Sequence, residues 1–338
     1  MKLKYYILFL VLAVVSQKTE AQYPVFSQFY TSPLNLNPAL AGNSSANWRV
    51  IGNQRNQWIA SGTEPLTTMA LSVDGKLFRL HNNENNYIGG GLLFTQDKAL
   101  EGAYKNSSIN MILSSHVALD EADNNGLSAG LGFDYNTTYI DYAALSFPAQ
   151  LSSAGFNRSL PTNEVSLSSI KPYFSMFAGV VYNYSSERSE FEIGVSGYRF
   201  IKTNRSALNN PNQLDPPMYN LHAAYQTYVT DRMVLNTNGM YTTVNNQHFY
   251  NIGLNIGNII TMDEEEAATV LNTGIWLRNG EAVVPFVGLM YKNVQGGISY
   301  DVNLPSSNNA LSALRTFEFS LIVRSPVRKG RPIPCPWK

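Results

Sequence analysis

The stretch His248-Phe249-Tyr250-Asn251-Ile252-Gly253-Leu254-Asn255-Ile256-Gly257 sets Tyr250, Ile252, Leu254 and Ile256 against Asn251, Gly253, Asn255 and Gly257. Successive side chains of a strand point to opposite faces, so one face is greasy and the other small and polar. A helix would need its apolar residues three and four apart, and these are two apart. The pattern recurs. Phe317, Phe319, Leu321 and Val323 alternate with Thr316, Glu318 and Ser320, and Phe191, Ile193 and Val195 alternate with Glu192, Gly194 and Ser196. Ile109, Met111, Leu113, Val117 and Leu119 oppose Ser108, Asn110, Ser114 and His116.

On the same pattern, strands are expected near 47–59, 66–79, 87–96, 104–119, 126–137, 171–183, 190–201, 218–229, 232–243, 247–260, 268–278, 281–291, 294–302 and 314–325. The reading is all-β: a transmembrane antiparallel outer-membrane β-barrel of about fourteen strands, an even number as in bacterial single-chain barrels. The connections at 97–103, 138–170, 202–217 and 303–313 are long and all follow odd strands, whereas those after even strands are compact. Short periplasmic turns and long outer loops are the habit of this class, and they put both mature termini in the periplasm.

Composition agrees. Charged residues are 14% of the chain, below the ~25% of soluble domains, while Tyr (20) and Phe (16) are plentiful. Lys plus Arg (24) balances Asp plus Glu (24), which excludes a nucleic-acid binder relying on surplus cations. The single cysteine, Cys335, excludes an intramolecular disulfide.

Met1-Lys2-Leu3-Lys4, the apolar run Tyr5–Val15 and Thr19-Glu20-Ala21 read as a signal peptide over 1–21, cut after Ala21. The apolar run is too short for a spanning helix, which needs ~20 residues. Residues 22–46 form an extended strap or plug segment, because Pro24, Pro33 and Pro38 restrict their predecessors to extended geometry. The barrel occupies 47–325. A basic, Pro-rich tail over 326–338 is expected in the periplasm, with docking to a periplasmic component as its expected role.

The segment Gln22–Gly42, QYPVFSQFYTSPLNLNPALAG, resembles the N-terminal signature of the PorP/SprF-like family of type IX secretion proteins. Arg55-Asn56-Gln57-Trp58 resembles its Arg-x-Gln-Trp, and Ile88-Gly89-Gly90-Gly91 running to Gln96-Asp97-Lys98-Ala99 resembles its glycine-rich third strand. Ile298–Asn303 and Pro334-Cys335-Pro336 match further on; Leu100 and Trp337-Lys338 depart from the family's commoner Gly and Arg-Phe. The resemblance implies an outer-membrane barrel of gliding, surface-secreting bacteria. It would act in export or surface retention of a secreted adhesin-type protein through its C-terminal sorting domain, or in coupling to the secretion and gliding machinery. The expected partners are outer-membrane lipid, the secreted surface protein and periplasmic machinery components. The alternative is a passive porin or solute transporter.

Phe26, Ser27, Gln28, Phe29, Tyr30, Pro33, Leu36, Asn37, Pro38 and Gly42 are the plug or partner-docking candidates; a structural seal at the periplasmic mouth is the plainer reading. Arg49, Arg55, Glu192, Arg278, Asp301 and Glu318 should face the lumen, since a cation on the lipid face costs ~2–4 kcal/mol at the midplane. They form either an interior network or a conduction path. Barrel closure sets the first strand beside the last, so Arg49 or Arg55 should approach Glu318. His81, His116, His222 and His248 have no metal-ligand spacing, and Asp263–Glu266 lacks the spaced oxygens of a calcium loop. The pair Ser114 and His116 is commonplace on a strand, so neither catalysis nor a cofactor is expected.

Overall fold

The computed structural model describes residues 26–59, 64–80, 86–122, 124–153, 155–157, 159–162, 170–201, 214–261, 269–304 and 315–326. The expected signal peptide over 1–21, His81, Asp263–Glu266 and the tail beyond Pro326, with Cys335, lie outside them. Fourteen antiparallel strands close into a barrel. They are β1 (Trp48–Ile59), β2 (Leu66–Arg79), β3 (Tyr87–Ala99), β4 (Tyr104–Ala118), β5 (Asn125–Ile140), β6 (Tyr173–Ser185) and β7 (Ser189–Tyr198). The second half comprises β8 (Met218–Thr230), β9 (Met233–Val244), β10 (Gln247–Thr261), β11 (Thr269–Arg278), β12 (Ala282–Tyr291), β13 (Val294–Asn303) and β14 (Arg315–Arg324). Each strand pairs with its sequence neighbours, and β1 closes on β14 with Arg55 opposite Glu318. Closure satisfies the backbone groups that hydrocarbon cannot hydrate.

The alternation read from the sequence is the barrel's inside–outside code. Ile252 and Leu254 of β10 are exposed on the outer face, while Asn251 and Asn255 are buried on the inner one. The interior mixes polar side chains with apolar clusters, one around Trp276, Phe286 and Met240, one around Leu93, Ile112 and Phe177, and a patch of Val234, Ile259 and Val270 near one rim.

Two expectations are corrected in detail. The connection expected over 97–103 is a tight hairpin: β3 runs on to Ala99, paired with Tyr104, and Leu100, Glu101 and Gly102 turn the chain with positive φ. Strand β7 ends at Tyr198, earlier than 201, because Arg199 adopts a φ of 62°, which breaks the ladder. Long connections, 141–172, 199–217 and 304–314, still follow odd strands.

Candidate functional site

Residues 26–46 fold back into the lumen. Phe26 through Leu34 and Leu36 through Gly42 are buried, although they belong to no barrel strand. The segment is not extended throughout. It makes three short helical turns, Phe29–Thr31, Pro33–Leu36 and Pro38–Leu40. Asn37 before Pro38 is extended, as expected, but Pro33 and Pro38 each start a helical turn. A proline at the first helical position loses no hydrogen bond, and its fixed φ suits the helix.

Three polar clamps hold this plug. The first gathers four of the six lumen charges. Glu318 accepts from the backbone amides of Ser27 (2.6 Å) and Gln28 (2.8 Å) through its two oxygens. Arg55 contacts Glu318 directly, reaches Asp301 Oδ2 at 3.1 Å and donates to Ser27 Oγ at 2.7 Å. Arg278 meets the same Asp301 oxygen at 2.9 Å. Two cations thus balance two carboxylates in a buried cluster, as the low local dielectric demands. Gln28 extends the clamp, donating to Ser299 Oγ and accepting from Ser320 Oγ, both at 2.8 Å, while Asn251 holds the Ser27 carbonyl.

Of the two arginines expected near Glu318, Arg55 is the one that reaches it. Arg49 forms the second clamp with Asp74 (2.8 Å) and the Leu40 carbonyl (3.0 Å). Asp74 also accepts from the Gly42 amide at 2.7 Å. Nearby, the Ser114 hydroxyl (2.6 Å) and His116 Nε2 (2.8 Å) both donate to the Ala41 carbonyl, and Ser128 supplies a proton to His116 Nδ1 at 2.7 Å. The assignment of Nε2–H follows from that network. Ser114 and His116 are therefore plug anchors.

The third clamp is Asn37, whose amide donates to the carbonyls of Val180 (3.2 Å) and Val195 (3.0 Å) while its oxygen caps Ala39. Leu36 is held through its carbonyl by Ser196 at 2.7 Å. Glu192 stands apart from the first cluster, beside Asn43 (3.3 Å) and His222 (3.6 Å).

Apolar contacts complete the seat. Tyr30 stacks on Trp276 with centroids 4.7 Å apart and meets Phe286 edge-on at 6.0 Å; Phe29 meets Tyr30 edge-on at 5.7 Å. The wall approaches the plug backbone closely: a Cβ at Gly130 would collide with the Ala39 amide nitrogen, and one at Gly179 with Asn37 Oδ1. Only glycine admits that approach. On the outer side of the same strands the wall is set back, leaving an apolar concavity of about 1900 Å³ that includes Leu113, Leu131, Phe200 and Tyr219.

Sequence reasoning missed Asp74, His116 as an anchor, and the polar inner-face residues Asn251, Ser299 and Ser320. Strand parity marked His116, Asn251 and Ser320 as inward. The signal naming them as anchors lay in the plug's fold, which no local pattern carries. Among the described residues no cluster of metal-ligating side chains occurs.

The barrel resembles solved outer-membrane barrels. The Ralstonia pickettii toluene transporter TbuX superposes with a TM-score of 0.51 at 8% identity, covering 93% of this chain and 98% of that one. The CymD monoaromatic hydrocarbon channel gives a TM-score of 0.50 at 8% identity, covering 92% and 96%. At such identity these show the fold alone. No curated protein matches the chain. The family of the type IX secretion system membrane protein PorP/SprF matches residues 18–323. With that match spanning strap and strands alike, the chain belongs to the PorP/SprF family and is an outer-membrane barrel of the type IX secretion system.

Proposed function

We propose that this barrel is a non-enzymatic docking platform. It retains a secreted adhesin-type surface protein at the outer face through that protein's C-terminal sorting domain. The observation that carries this reading is the plugged lumen. Buried charges and hydrogen bonds from β1, β2, β10, β13 and β14 grip residues 27–42, so the interior is committed to holding its own chain. A conduit would leave that path open to solute. In this reading both mature termini face the periplasm, residues 1–21 are a removed signal peptide, and the basic tail meets secretion or gliding components there. The long connections after odd strands face outward and make the first contact with the partner.

Affinity purification of the full chain from outer membranes in mild detergent tests the reading. A large secreted protein should co-purify, and it should leave the cell surface for the medium when the barrel's gene is deleted. An unchanged surface proteome after deletion, together with steady solute conductance by the purified protein, would return the porin reading.

A further inference from the structure

The wall comes closest to the plug at Gly89, Gly130 and Gly179, where an added Cβ would strike the Ala41 carbonyl, the Ala39 amide nitrogen and the Asn37 side chain. A wall drawn in to backbone distance on the lumen side is hollow on the other. The apolar concavity of about 1900 Å³ lies on the outer face of these same strands, and Leu92, Leu113, Leu131, Val180 and Leu221 line it and are exposed. Side chains lie across outward glycines at its two ends: Leu77 over Gly90 near the start of β3, and Phe200 over Gly197 at the end of β7. Asn47 and Trp48 border the Leu77 end, and there the exposed Arg79 donates to Asn47 Oδ1 at 3.1 Å. Lys76, beside it, turns its ammonium onto the Tyr87 ring, 4.8 Å from the centroid.

In an outer-membrane barrel this hollow is continuous with the band that faces hydrocarbon. Apolar surface gives two proteins no hydrophobic drive to associate there, because lipid tails are as apolar as leucine. Flexible tails themselves fill an irregular hollow, and each carbon in it meets protein on more sides than against a convex wall. At roughly 30 Å³ for each liquid-packed, water-sized group, two acyl tails of about sixteen carbons occupy about 1,000 Å³, well within the hollow. A guanidinium grips phosphate through a planar fork of donors, and Arg79 stands where such tails would end. We propose that the concavity holds one resident glycerophospholipid, with its two tails laid along β3–β7 and its phosphate at Arg79. The site is independent of whether the barrel retains a surface protein.

The test takes the full chain purified in mild detergent and counts bound lipid by native mass spectrometry. One glycerophospholipid should remain on each barrel. After delipidation, dioleoylphosphatidylglycerol should bind at least about tenfold more tightly than dioleoylglycerol, which lacks the phosphate. Arg79→Gln should remove that difference. Leu131→Trp, or Ala129→Trp should the first variant fail to fold, fills the hollow and should cut lipid retention at least about tenfold. Ile252→Trp, outward on β10 and away from the hollow, should leave retention unchanged. Each variant is read on barrels that keep their anomalous gel mobility. Equal binding of the two lipids, or retention that survives both tryptophan variants at the hollow, overturns the proposal. So does inorganic phosphate displacing phosphatidylglycerol at equal concentration, since the site would then take a free anion, and so does recovery of a phosphorylated glycolipid in place of the glycerophospholipid.

Discussion

Glu318→Gln isolates the grip on the plug with almost no change in shape. Glu318 uses both carboxylate oxygens on the Ser27 and Gln28 amides and also contacts Arg55. Hydrogen bonds to a charged group contribute ~1.5–3 kcal/mol each, against ~1 for a neutral one. Glutamine keeps one acceptor, turns an NH₂ toward the other backbone N–H and leaves two arginines facing Asp301 alone. The loss comes to about 3 kcal/mol, or roughly a hundredfold in the plug's opening equilibrium. Hydrogen exchange read by mass spectrometry measures this, because protection tracks the local opening free energy. The segment 26–36 should exchange roughly a hundredfold faster in the variant, while 250–257 of β10 keeps its rate. A change below about threefold in a folded barrel would refute the idea that this cluster holds the plug. In Arg55→Met/Glu318→Gln the combined loss should be smaller than the sum of the single losses, because the second substitution removes the charge that the first strands.

Gly130→Ala should loosen the plug by about 1–3 kcal/mol, since the new methyl meets plug backbone. Gly296→Ala, with nothing within 4 Å of its Cβ, is the control, and equal plug exchange in the two would contradict the close-approach account. Leu254→Arg should cost ~2–4 kcal/mol of membrane stability and lower the yield of folding into lipid vesicles; an unchanged yield would place that face away from hydrocarbon. In planar bilayers the intact chain should be silent and a chain lacking residues 26–42 should conduct; steady conductance by the intact chain would count against a sealed lumen. In the β4–β5 turn, the Asn125 amide and side chain hold the Asp120 carboxyl below its ordinary pKa. Its contribution is therefore present above the unfolded-state pKa and fades as pH falls through the lower folded value. A pH titration followed by NMR should find Asp120 below, and not above, the usual aspartate range.

The wall of the barrel was legible in the chain alone. Hydrocarbon outside and a polar interior force a two-residue period on each strand, so residues such as Ile252 and Asn251 declared their sides without reference to any distant contact. For the same reason Arg55, Asp301 and Glu318 could be placed inward, and closure alone brought β1 beside β14. The motif in Gln22–Gly42 pointed to the family. The plug's seat came only with the folded molecule: Pro33 and Pro38 open helical turns, Arg49 turns to Asp74 while Arg55 takes Glu318, and Gly130 and Gly179 give room to the plug's backbone. The plug's contacts join residues up to 292 positions apart, as between Gln28 and Ser320. Local periodicity reports which side a residue faces, whereas the partner it meets there is set by the curvature and register of the closed barrel.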